Sequence, residues 1–135
     1  SASSMRGVPD SAFQEAAREY QRRWVRSHDL IWAACDVSRF GAVAPCWPTA
    51  CLRPGFGPDG SEDALLEIVD SAALARGCDH VMLASGDGKF TKLVAELCEL
   101  GVPVTVVGWP GGISAELLAM AHRVIHLSQH PLVAA

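Results

Sequence analysis

Apolar residues along this chain recur with two different periods. Over residues 11–26, Phe13, Ala17, Tyr20 and Trp24 fall at helical spacing on one face, with Arg18, Arg22 and Arg26 opposite, which predicts an amphipathic first helix. Asp10 or Ser11, just after Pro9, is placed to cap it. Glu15 and Glu19 stand among the arginines at i,i+3 and i,i+4 spacing, so the polar face predicts internal ion pairs. Residues 30–36 (LIWAACD) form an apolar run of strand length that ends in an acid. Four prolines and four glycines over 41–60 predict mostly loop, with a short strand near Ala50 to Arg53. Helical spacing returns over 61–76 on Leu65, Leu66, Ile68, Val69, Ala72 and Ala73, and Gly77 stops it. A strand at 80–84, the turn SGDG and a helix at 89–100 on Phe90, Leu93, Val94, Leu97 and Leu100 follow, with Gly101 as terminator. Strand 103–107, the loop GWPGG, helix 114–121 and strand 124–127 complete the pattern.

Short, nearly all-apolar strands alternating with amphipathic helices predict an α/β fold with a mostly parallel sheet of about five short strands, covered on both faces. In such sheets ligands bind beyond the C-terminal ends of the strands, which directs attention to Asp36, the SGDG turn and the GWPGG loop. A length of 135 residues with 50% apolar composition fits one domain, expected over residues 5–130, with residues 1–4 an expression remnant ahead of Met5. The longest apolar runs, LIWAAC and VPVTVVGW, fall short of the ~20 residues that span a bilayer. The start SASSMRG has no apolar leader segment, so a cytoplasmic protein without membrane contact is expected.

Charge and cysteine usage narrow the chemistry only slightly. The net charge of -4 does not mark a nucleic-acid binder. Its distribution is uneven: Arg6, Arg18, Arg22, Arg23, Arg26 and Arg39 lie in the first part, and Asp59, Glu62, Asp63, Glu67 and Asp70 follow with no base among them. That pattern suits a nucleic-acid groove beside a metal site, and equally suits solvated helix faces. Five cysteines, without C-x-x-C spacing or a matching pair of histidines, predict reduced thiols rather than a zinc site.

The sharpest local motif is A-S-G-D-G-K-F at 84–90, where two glycines bracket Asp87 between a strand and a helix. Glycine permits a sharp turn and close ligand approach, and a carboxylate is favoured at a helix N-terminus. Capping and cation binding both account for Asp87. Neither a phosphate-binding G-x-x-x-x-G-K-[ST] nor a G-x-G-x-x-G is present. On the acidic helix, Asp63, Glu67 and Asp70 share one stripe opposite Leu66, Val69 and Ala73, whereas Glu62 projects toward the apolar side in the first turn. A carboxylate there needs a partner, either a divalent cation or the backbone beside Ser61.

The run GPDGSEDALLEIVDSA, followed by HVMLASGDGKFTKLVAELCELGVPVTVVGWPGGISAELLAMAHRVIHL, resembles the NYN domains of the PIN-like nuclease superfamily over residues 57–127. The resemblance implies a three-layer α/β/α domain whose carboxylate cluster binds Mg²⁺ or Mn²⁺ and hydrolyses RNA phosphodiesters with a metal-activated water. By register the SGDG acid is Asp87, the helix-start acid is Glu62 with Asp63 beside it, and Asp36 is the third candidate. Ser85, Gly86 and Gly88 would shape the site, Lys89, Lys92 and Arg39 would hold phosphates, and Trp109 is either a base-stacking residue or a packed lid. Two departures stand out: Lys89 occupies a position where many family members carry a second acid, and the chain opens with a helix where the family opens with a strand ending in Asp. Either the first strand is missing from this sequence, or Asp36 serves in place of its acid, or the site is incomplete and the chain is a catalytically impaired module that binds RNA or a protein; a second copy or another chain would cover the sheet where that strand is missing.

Overall fold

The computed structural model describes residues 9–27, 29–48, 50–56 and 60–127. The element order is α1 (Asp10–Trp24), β1 (Trp32–Asp36), a short helical stretch with α2 (Phe40–Val43) at its centre, β2 (Cys51–Gly55), α3 (Gly60–Ile68), α4 (Ser71–Gly77), β3 (Val81–Leu83), α5 (Thr91–Glu99), β4 (Val104–Gly108), α6 (Ala115–Met120) and β5 (Arg123–His126). This is the expected α/β fold, and every strand pairing is parallel. Hydrogen bonding divides the five strands into a pair, β1-β2, and a triplet in the order β3-β4-β5, rather than one continuous sheet. The chain forms two compact units, one through Glu67 and one from Ile68 onward.

In the first unit, α1 carries Asp10 in its first turn and Arg22 and Arg23 in its last, each complementing the helix dipole. Neither Asp10 nor Ser11 caps it: Pro9 is the N-cap, and its carbonyl accepts the Ala12 N–H at 3.0 Å. Proline already has the extended backbone that a cap position requires. Ala17 is buried on the inner face, where Tyr20 stacks at a tilt against Trp24 (5.6 Å) and Trp47 (6.0 Å). Gln14 donates to the Ala42 carbonyl at 2.9 Å, and Gln21 to that of Cys46, which joins α1 to the segment 40–46. Burial, with the Asp29 carboxylate adding to it, pushes the Tyr20 phenol up to about 12. The outer arginines pair internally as expected: Arg18 and Arg22 with Glu15, and Arg23 with Glu19.

The helix predicted over 61–76 breaks at Val69 and Asp70, giving α3 and α4. Asp70 has an extended backbone (φ -124°, ψ 123°), and its carboxylate accepts the Ala73 N–H at 3.3 Å as the cap of α4. Aspartate competes for backbone N–H groups in this way and so starts helices more readily than it continues them.

The second unit is built round β4, all five residues of which are buried. Right-handed crossovers between successive parallel neighbours place α5 and α6 on one face of the triplet, where they pack side by side. Phe90, Val94 and Leu97 of the α5 segment and Leu117 of α6 are almost fully buried. Gly101 terminates α5 with φ +81°, Gly101 N–H donating to Cys98 O (3.1 Å) and Val102 N–H to Leu97 O (2.9 Å). Thr105, a polar residue in that apolar strand, has its hydroxyl 2.8 Å from His80 Nε2. Ser71 of α4 donates to Glu96 of α5 at 2.8 Å. Among the described residues, no helix is long and apolar enough to cross a membrane.

Candidate functional site

In each unit the candidate residues collect at the C-terminal ends of the strands, where a parallel sheet leaves its backbone open to ligands. In the first unit, Asp36 ends β1 opposite Gly55, the last residue of β2. Gly55 lies hard against the start of α3: a Cβ there would fall 2.2 Å from Gly60 C and 2.3 Å from Ser61 N. Only glycine permits this approach, and it brings the backbone of Asp36 to the turn that carries Glu62 and Asp63. Glu62 is half-buried and accepts a hydrogen bond from Ser61 Oγ at 3.2 Å, while Asp63 is exposed. Three of the candidate acids therefore share one strand edge. The side chain of Asp36 lies outside the described residues.

Arg39, just beyond β1, is held away from a purely ligand-binding role. Its guanidinium donates to Asp10 at 2.9 Å and lies over the Phe13 ring at 4.3 Å from the centroid. Cys46, Cys51, Cys78 and Cys98 are free thiols, so Cys46 and Cys51 do not pair.

In the second unit the loop after β3 carries Ser85, Gly86, Asp87, Gly88 and Lys89 together. Asp87 caps the helical turn Gly88–Phe90: its Oδ1 accepts the Lys89 N–H at 2.9 Å, and its own N–H donates to Ser85 Oγ at 3.2 Å. These two bonds fix the half-buried carboxylate at the mouth of the loop. The loop in turn packs against the segment after β4. Gly86 O accepts the Ser114 N–H at 2.8 Å, and a Cβ on Gly86 would fall 1.8 Å from Gly112 O. Gly112 N–H donates to Trp109 O at 2.9 Å, closing a turn in which Gly111 has φ +78°. Trp109 is thus tied through its backbone to the acid-bearing loop, and its ring is half-buried. Lys92 is exposed in the first turn of α5.

Three residues that the sequence reading did not single out lie on this edge. Ser114 caps α6, accepting the Leu117 N–H at 3.3 Å, and holds Gly86. Glu116 is exposed in the first turn of α6, and His126 is exposed at the end of β5. The motif P-G-x-x-S was the available signal for Ser114. His126 is legible only once the β4–β5 register is known.

Among the described residues, no group of three His, Cys, Asp or Glu side chains is arranged to hold a metal ion. The donors present are hard carboxylate and hydroxyl oxygens, which suit Mg²⁺ or Mn²⁺ and not a soft-metal site. Mg²⁺ keeps several waters and needs only one or two protein carboxylates together with substrate phosphates, a demand that the single Asp87 carboxylate does not exclude.

Residues 63–128 match the family model of the NYN domain. The matched span contains the Asp87 loop, the Trp109 loop and all three strands of the second unit. Among solved structures, the chain is similar to the crystal structure of a protein of unknown function from Vibrio parahaemolyticus, with a TM-score of 0.55 and 19% identity, over 90% of this chain and 80% of that one. That likeness supports the α/β fold alone. None of the curated proteins compared with this chain matches it.

Proposed function

From the match of residues 63–128 to the NYN-domain family model, we propose that the protein is a metal-dependent ribonuclease acting on RNA phosphodiesters. The observation that carries this reading is the position of Asp87: a capped, half-buried carboxylate at the open C-terminal edge of a parallel sheet, inside the matched segment. A bound Mg²⁺ or Mn²⁺ would supply an activated water and neutralise the charge that develops on the phosphate. Asp87 is the anchoring carboxylate of the second unit, and Glu62, Asp63 and Asp36 are the candidate acids of the first. Ser85 orients Asp87 by accepting its N–H, and Gly86 and Gly88 leave the loop backbone open to a ligand. Lys89, Lys92 and Arg39 act on phosphates, Arg39 while retaining Asp10, and Trp109 stacks on a base.

Incubation of the full chain with RNA and Mn²⁺ should give cleavage that Asp87→Ala abolishes and Glu62→Gln weakens. A second reading, an RNA-binding module without catalytic power, is favoured by one observation: Lys89 places a positive charge two residues from Asp87. RNA binding that persists with no cleavage in Mn²⁺ or Mg²⁺ would select it.

A further inference from the structure

We propose that Asp10 is a built-in brake on anion binding at Arg39: its carboxylate occupies part of the guanidinium that a phosphate would use, so α1 sets how tightly the first unit holds a phosphate. The inference rests on the ribonuclease reading only for the identity of the natural anion, RNA. Asp10 and Phe13 stand one turn apart on the same face of α1, and together they clamp one guanidinium. The Phe13 ring lies 4.3 Å from Arg39 Cζ, and the Asp10 carboxylate accepts from Arg39 Nη1 at 2.9 Å. The Arg39 side chain keeps 19% exposure and that of Asp10 51%, so an anion in solution can reach the pair. Arg39 ends the helical turn Val37–Arg39 that follows Asp36, about 6 Å along its axis from the end of β1. The clamped cation therefore stands one turn beyond the strand edge that carries the candidate acids of the first unit.

Asp10 is not the cap of α1, because Pro9 holds that position and its carbonyl accepts the Ala12 N–H. Its carboxylate is committed to Arg39 instead, across 29 residues, whereas Arg18, Arg22 and Arg23 pair within α1 with Glu15 and Glu19. Carboxylate and phosphate oxygens take the same charge-assisted bonds from the planar fork of a guanidinium. With Asp10 on one N–H group and the Phe13 ring against the plane, a phosphate must use the remaining donors beside a like charge. Like charges at that range repel. Removing the charge of Asp10 while keeping its hydrogen bond therefore strengthens phosphate binding. Both residues lie outside residues 63–128, so the brake belongs to a part of the chain that the family model does not describe.

The test uses inorganic phosphate as the probe. Its apparent dissociation constant is read from the phosphate dependence of the melting temperature of the full chain, with chloride holding the ionic strength constant. Asp10→Asn should tighten that constant by about three- to thirtyfold, and Asp10→Glu should leave it near the wild-type value. Arg39→Gln should weaken it and should cancel the gain when combined with Asp10→Asn. Fluorescence anisotropy of a labelled RNA in EDTA, where no cleavage intervenes, should rank the same variants in the same order. An ion pair that only supports the fold would lower the melting temperatures in buffer and leave the phosphate constant unchanged, and that result overturns the brake. A gain in Asp10→Asn that survives Arg39→Gln, or no phosphate binding by wild type and Asp10→Asn alike, overturns it too. If the phosphate constants shift as expected while no variant binds RNA, the ribonuclease reading fails and the brake stands.

Discussion

Replacing Gly86 by alanine puts a methyl group where the backbone of the next loop already lies. The new Cβ would fall 1.8 Å from Gly112 O, 2.6 Å from Gly112 C and 2.8 Å from Ile113 Cα, all of them main-chain atoms. No rotamer change can relieve that overlap, so the loops 84–88 and 109–114 must separate. Separation strains the packing by about 1–3 kcal/mol. It also lengthens the Ser114 N–H bond to Gly86 O, now 2.8 Å, which is worth about 1 kcal/mol. The sum is about 2–4 kcal/mol, or a melting temperature lower by roughly 5–20 °C. Gly88 is the internal control. A Cβ there meets only Ser114 Oγ and Cβ at 3.7 and 3.8 Å, ordinary contact distances. Gly88→Ala should be neutral or stabilise by up to about 1 kcal/mol, since alanine loses less chain entropy on folding. Urea unfolding of the two variants beside the wild type reads both values. A Gly86→Ala protein as stable as the wild type, or a Gly88→Ala protein the weaker of the two, would refute the packing of these loops.

Tyr20 is the single tyrosine of the chain, so its phenolate absorbance reports one site, and it should titrate near 12 rather than near 10. The fold favours the neutral phenol, so the associated stability is intact below pH 10 and is lost as pH rises from about 10 toward about 12; that loss should vanish in Tyr20→Phe. Among the described residues the buried Thr91 hydroxyl has no hydrogen-bond partner, so Thr91→Val should stabilise the protein by about 1 kcal/mol, and a lower melting temperature would contradict this. Asp70→Ala should cost about 1 kcal/mol through loss of the α4 cap, and Asp70→Asn should recover most of it in the same melting assay.

Elements with local causes were legible in the sequence. The face of α1, the glycine stop of α5 and the short apolar strands each follow from a few neighbouring side chains. The break between α3 and α4 was hidden because the apolar period on Leu65, Leu66, Val69 and Ala73 runs across Asp70, and periodicity does not register a cap. The segment 41–60 looked like loop because of its prolines. Pro54 nevertheless fits within β2, since among the described residues β2 pairs with β1 alone and an edge strand can spare one N–H. Of the candidate site, Asp87 could be placed from its flanking glycines. The gathering of Asp36 with Glu62 and Asp63 depends on the Gly55–Gly60 approach, and the ion pair of Arg39 with Asp10 spans 29 residues. Contacts of that kind lie beyond a reading of spacing.

In the proposed ribonuclease, Asp87 acts through its negative charge and not only as a helix cap. Asp87→Asn separates these roles, because the amide oxygen can still accept the Lys89 N–H now bound at 2.9 Å while the charge that would hold a cation is gone. The most direct measurement is the initial rate of single-stranded RNA cleavage against Mn²⁺ concentration, for the wild type and Asp87→Asn at matched melting temperature. The wild-type rate should rise with the ion to saturation, and the variant rate should stay at background. A variant that cleaves like the wild type, or wild-type cleavage that EDTA does not suppress, would contradict that role.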